Sequence, residues 1–113
     1  MTKEIAIGRM SRAMTVEQGL ALPDAGGGAD MLWEEVAENP VIHVQNLQVK
    51  AAERLRFAQA ARQVTHKIAA RSHPALITGN RLVDAEGTAY RITETEQHDR
   101  QGAYVICYLE LMV

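Results

Sequence analysis

If this chain does chemistry, the groups for it come from a short inventory: four histidines, one cysteine, two serines, two neighbouring carboxylates and a run of glycines. His43, His66, His73 and His98 lie far apart, with no pair spaced to put two metal ligands on one helix or hairpin. Cys107 sits inside an alternating apolar run and reads as a small packing residue; as a nucleophile it would need a histidine brought in from elsewhere. Ser11 and Ser72 lie in no nucleophile-elbow context. Glu94 and Glu96 share a strand face, as an acid–base pair would, yet no apolar pocket is implied around them and they read as a solvated edge. Gly26-Gly27-Gly28 lacks the Gly-Lys-Ser/Thr continuation of a phosphate loop, and Asp24 and Asp30 would repel phosphate. No catalytic, metal or cofactor-binding residue is assigned, and the chain reads as an assembly part rather than an enzyme.

The bulk properties agree with that reading. With 113 residues the chain supports one domain and cannot by itself surround anything large, so a ring or channel must come from several copies. One Phe and one Trp leave a modest core of aliphatic side chains. A single cysteine excludes an internal disulfide and fits a reducing compartment. The longest apolar run, residues 103 to 113, is too short for a membrane helix, and the N-terminus has no signal-peptide core, so the expectation is a cytosolic chain with no membrane partner.

Charge is unevenly divided. Residues 24 to 40 carry a net charge of -5 and residues 50 to 73 carry +5, within a total of -2. Opposite patches of this kind can meet head to tail between copies and close a ring, or can simply be solvated faces.

The elements that would position these groups are mostly strands. Residues 1 to 10 read as a loose arm ahead of a single domain over residues 11 to 113. A first strand covers residues 12 to 18, and residues 19 to 28 read as a flexible loop. A second strand over residues 29 to 36 carries Trp33, with core favoured over interface for that side chain. Asn39-Pro40 breaks it, and a third strand comes next, over residues 41 to 47. The period then changes. Ala51, Leu55 and Ala58, with Phe57 and Ala61 as a second pair, predict one inserted helix over residues 48 to 61. Residues 63 to 71 fit helix or strand equally. The C-terminal third reads as a meander built on Arg81-Leu82-Val83-Asp84-Ala85-Glu86-Gly87-Thr88-Ala89-Tyr90-Arg91-Ile92, and in its last run Val105, Cys107, Leu109, Leu111 and Val113 should face the core.

Several pieces resemble a known family when taken in order. They are Gly8-Arg9-Met10 before a strand with Met14 and Val16, Asp24 and Gly26-Gly27 before Trp33-Glu34, then Glu53-Arg54 and Thr65-His66-Lys67-Ile68-Ala69-Ala70-Arg71. Thr78-Gly79-Asn80-Arg81-Leu82, Gly87-Thr88-Ala89-Tyr90-Arg91-Ile92, Asp99 and Tyr108-Leu109-Glu110-Leu111 complete the set. Together they resemble the head-tail joining proteins of tailed bacteriophages, the stopper or head-completion family, whose equivalents occur in gene transfer agents. The chain departs from the pattern at Asn39-Pro40-Val41-Ile42-His43, where the family usually has a tryptophan.

The resemblance implies a mainly β fold, a small antiparallel β-barrel with one inserted helix, in which residues 65 to 71 form a strand. It implies a virion protein at the head-tail interface, present in the bacterial host cytoplasm during assembly, which forms a sixfold or twelvefold ring. Its neighbours would be a portal or adaptor protein, a tail terminator or tail tube protein, and packaged double-stranded DNA held without sequence preference. Other expectations within this resemblance are another connector component, and outside it a solitary barrel binding nucleic acid or protein. Lys50, Arg54, Arg56 and Arg62 are the candidate channel-facing cations; the alternative for their helix is to plug one end of the barrel. Asp24, Gly26, Gly27, Gly28, Trp33, Glu34 and Glu35 are the candidate contacts between subunits or rings.

Overall fold

The structure, a computed structural model, describes residues 7–23, 29–98 and 101–112. After a single 3-10 turn at Ile7–Arg9 the chain forms β1 (Arg12–Pro23), β2 (Ala29–Glu35), β3 (Val41–Leu47), α1 (Ala51–Gln59), β4 (His66–Arg71), β5 (Arg81–Asp84), β6 (Ala89–Gln97) and β7 (Tyr104–Leu111). All pairings are antiparallel. The order β1-β3-β4-β7-β6-β5 returns to β1 through a β1–β5 ladder, which closes a six-stranded barrel, and β2 stands outside it on β1. The mainly β reading holds, and residues 66–71 resolve as strand because β4 is needed between β3 and β7.

Alternation sets the interior. Met14 and Val16 of β1, Ile42 and Val44 of β3, Ile68 and Ala70 of β4, Leu82 of β5, Tyr90 and Ile92 of β6, and Cys107 and Leu109 of β7 form one buried cluster. The barrel is therefore a packed core with no lumen of its own. One mouth is capped by charge: Arg12 meets Asp84 at 2.8 Å and Asn46 at 3.1 Å. Asp84 also accepts the amides of Glu86 at 3.0 Å and Thr88 at 2.9 Å. That turn is closed by Gly87 at φ +85°, a left-handed backbone that favours glycine. Burial pushes the Asp84 carboxyl up, but the two amides and the Arg12 guanidinium outweigh it and hold it below the ordinary carboxylate range.

Three expectations change. Residues 19–23 continue β1 instead of starting a loop, because they find a partner in β2, Gly19 opposite Trp33 and Leu20 opposite Leu32. The core role expected of Trp33 does not hold: it is half-buried at the root of that ribbon, outside the barrel cluster. And α1 does not plug a mouth of the barrel. It lies on the outer wall, where Phe57, Ile106 and Tyr108 make a second small core with Leu47 and Val64. The face of β7 opposite Cys107 and Leu109 is thereby buried as well. Residues 1–6 of the expected arm lie outside the described residues, as do 24–28, 99–100 and 113.

Candidate functional site

Two surfaces carry the residues with candidate roles: the helix-covered outer wall and the ribbon that β1 and β2 form beyond the barrel.

On the wall, α1 is fixed by a charged network that sequence reasoning missed. Glu53 accepts the Lys50 backbone amide at 3.0 Å, satisfying a donor at the helix N-terminus. The same carboxylate accepts the Lys67 ammonium at 3.1 Å and the Tyr108 hydroxyl at 2.8 Å. Lys67, on the outer face of β4, is only 4% exposed, so Glu53 supplies the counter-charge its burial requires. Burial raises the Glu53 pKa, yet the Lys50, Tyr108 and Lys67 donors prevail and the carboxyl ends below its usual range. Tyr108 is pushed upward by burial and by the Glu53 carboxylate. Beside this network the Phe57 and Tyr108 rings meet at 4.9 Å between centroids.

The carboxylates of β6 belong to the same wall, and a bulge puts them there. Ile92 lies opposite Leu109 but Glu94 lies opposite Tyr108, so Thr93 is an extra residue in the ladder. One extra residue reverses the faces of everything after it. Tyr90 and Ile92 point inward, whereas Glu94 points outward and meets Arg56 at 3.0 Å and Arg62 at 3.7 Å. Two of the four cations expected to face a channel thus share a carboxylate of their own chain. Lys50 stands at the N-cap of α1, and Arg54 is exposed on its flank. The helix turns Phe57 inward, so Ala51, Leu55 and Ala58, expected as its apolar face, are exposed; Leu55 is 62% exposed.

The ribbon has a different character. Val16 donates to the Pro40 carbonyl at 2.7 Å and accepts from the Val36 amide at 3.1 Å, so β2 and β3 run along the same edge of β1 with residues 36–40 looped out between them. β5 occupies the opposite edge only as far as Glu17. From Gln18 onward the ribbon has two strands alone among the described residues. Its root is clamped: Arg81 contacts Glu17 at 2.7 Å and lies over the Trp33 ring at 4.5 Å from the centroid. Gly19 is close-packed there, since a Cβ would sit 2.6 Å from the Met31 sulfur. Further out, Leu20, Met31 and Leu32 are exposed. Glu34 accepts the Gln18 amide at 3.0 Å, and Glu35 is exposed. Asp24, Gly26, Gly27 and Gly28 lie outside the described residues.

His73, His66 and Cys107 are committed elsewhere. His73 lies 2.9 Å from the Asn39 carbonyl through Nε2, while its Nδ1 accepts the Ala75 amide at 3.0 Å. His66 packs edge-on against Tyr90 at 4.8 Å. Among the described residues no three His, Cys, Asp or Glu side chains converge as a metal site. Cys107 is fully buried in the barrel, and burial pushes its thiol up to about 12, so it stays protonated at neutral pH. No helix of the described residues is long and apolar enough to cross a membrane.

The comparisons with known proteins speak to the same architecture. No curated protein matches the chain by sequence. A chain from the virion of the native gene transfer agent particle shares the fold at a TM-score of 0.61 and 20% identity, over 91% of this chain and 96% of its own. Protein SF1141 from Shigella flexneri 2a does so at a TM-score of 0.63 and 16% identity, over 93% and 96%. At such identities the likeness establishes the barrel with its outer helix. Family comes from the sequence: the model of the phage head completion proteins matches residues 5–111, nearly the whole chain, and the protein belongs to that structural family of the virion.

Proposed function

We propose that this chain works at the junction of a phage-type head with its tail, as one subunit of a ring that closes the capsid exit. The ring retains packaged double-stranded DNA without reading its sequence and offers the tail a docking surface. The observation that carries this reading is the family match over residues 5–111. The packed barrel supports it physically. With its interior filled by side chains, one copy provides no passage, so a channel must run between copies. A portal or adaptor protein would bind one side of the ring, a tail terminator or tube protein the other, with sixfold or twelvefold symmetry. The pairing of Arg56 and Arg62 with Glu94 lowers the field that the helix segment offers to DNA.

Removing the gene from cells that make the particle tests the proposal. Electron microscopy of the product should find full-sized heads without tails, and their DNA should become accessible to nuclease; supplying the wild-type chain should restore both. Tailed, DNA-retaining particles in its absence would overturn the reading.

A further inference from the structure

The ring needs two surfaces on each subunit that fit each other, and the molecule carries a matched pair. One is the face of the ribbon that continues, past the end of the barrel, the side of β1 on which Val16 is buried. Leu20 and Leu32 stand opposite each other there in register, 42% and 50% exposed, with Glu34 next along the same face. Two strands without a third are marginal in water, and among the described residues this face is left short of a partner. The other surface is the outward side of α1. Two residues on from Leu55 the helix has turned by roughly 200°, so with Phe57 against the barrel Leu55 points away from it. Ala51 and Ala58 flank Leu55, and the Arg54 guanidinium stands beside them; all four side chains are exposed.

We infer that the ribbon of one copy docks on the outward face of α1 of the next, with Leu20 and Leu32 packing against Leu55 between Ala51 and Ala58, and Glu34 meeting Arg54. Apolar side chains then meet apolar ones and the carboxylate meets a guanidinium. The occupant is a second copy because the complement to each patch lies on this same chain, on an element that one copy cannot bring round to it. The ribbon leaves the barrel from β1, whereas α1 is held on the wall of β4 and β7. The contact is heterologous, each copy giving its ribbon and receiving another on its helix, and such contacts propagate into rings when the rotation closes. This docking rests on the ring proposed above and specifies how its subunits join. It also explains why α1 spends Glu53 and Phe57 on the barrel and leaves its leucine outside.

The test uses the full chain in sedimentation velocity from micromolar to millimolar concentration. The wild type should associate. Leu55→Glu and Leu32→Glu should each weaken association by about tenfold or more while leaving circular dichroism and thermal melting of the monomer unchanged, since both side chains are exposed. Mixed together, these two variants should give one-to-one dimers and nothing larger, because the mixture retains one intact ribbon and one intact helix face. Arg54→Glu should weaken association, and adding Glu34→Arg in the same chain should restore it. If Leu55→Glu misfolds, Leu55→Ser takes its place with the same expectation. Association unaffected by both Leu55 variants, a mixture that stays monomeric, or a wild type that is monomeric throughout would overturn the docking. The gene deletion decides the head-tail reading separately, so docking can fail while that reading stands.

Discussion

Along one strand, Met14 and Val16 are 2% and 0% exposed, while Leu20, four residues beyond Val16, is 42% exposed. Residue type does not explain the difference, since all three are apolar and all point along the same alternation. What changes is company. From Met14 to Glu17 the strand has a neighbour on both edges, and beyond it β2 alone pairs with it among the described residues. The barrel is a finished object whose apolar side chains have found their places, and the ribbon is built from the same residue types without finding one. Regions left unfinished in the isolated chain are where assembly should be sought.

Mutations can press on that contrast. Val16→Asp should do most, because it puts a carboxylate without a partner among the aliphatic side chains of the barrel. Native chemical-shift dispersion should be lost altogether, whereas the same charge at Leu20→Asp should leave the dispersion intact. Leu82→Ala, in the fully buried barrel cluster, should cost about 3 kcal/mol in urea denaturation. Glu53→Ala should cost about 2 kcal/mol by removing the carboxylate that pairs with the buried Lys67, and Tyr108→Phe about 1 kcal/mol by removing one donor to the network.

Acid should expose the same network. Folded Glu53 and Asp84 ionise more readily than in the unfolded chain. Their stabilising contribution is complete above the ordinary carboxylate pKa of about 4 and is lost as pH falls through the lower, folded values. Glu53→Gln should therefore flatten part of the acid limb in a series of melts. At the small end, Leu32→Ser on the ribbon should move monomer stability by no more than about 0.5 kcal/mol, against the large cost of Leu82→Ala. A large loss from Leu32→Ser would mean that the ribbon is already packed within one copy, and the contrast would collapse.

Short-range periodicity made part of this fold legible in the sequence. β3 runs over residues 41–47 as its alternation predicts, the Asp84 turn closes on Gly87, and the odd-numbered residues Cys107 and Leu109 face the core, although Leu111, expected there too, is exposed at the end of β7. Long-range facts are hidden. Residues 66–71 look like helix or strand until β3 and β7 are there to pair with them. Nothing local marks Thr93 as an extra residue, and only the partner strand reveals the slip. Helical spacing groups Ala51, Leu55 and Ala58 on one side of the helix. Yet in a helix of nine residues one Phe and one Glu are enough to choose the docking side, and no hydrophobic count reveals that Lys67 is waiting across the gap for the carboxylate. The spacing of Glu53 from Lys50 is the one visible clue, as a helix-start signal.

Because β1 is one unbroken strand of twelve residues, the ribbon is mechanically continuous with the barrel wall. A load applied at the far end of the ribbon, along its axis, reaches the β1–β3 and β1–β5 ladders as shear, straining their bonds together instead of peeling them apart one by one. A joint made through the ribbon would thus grip hardest when pulled lengthwise, and would give way most easily when twisted sideways.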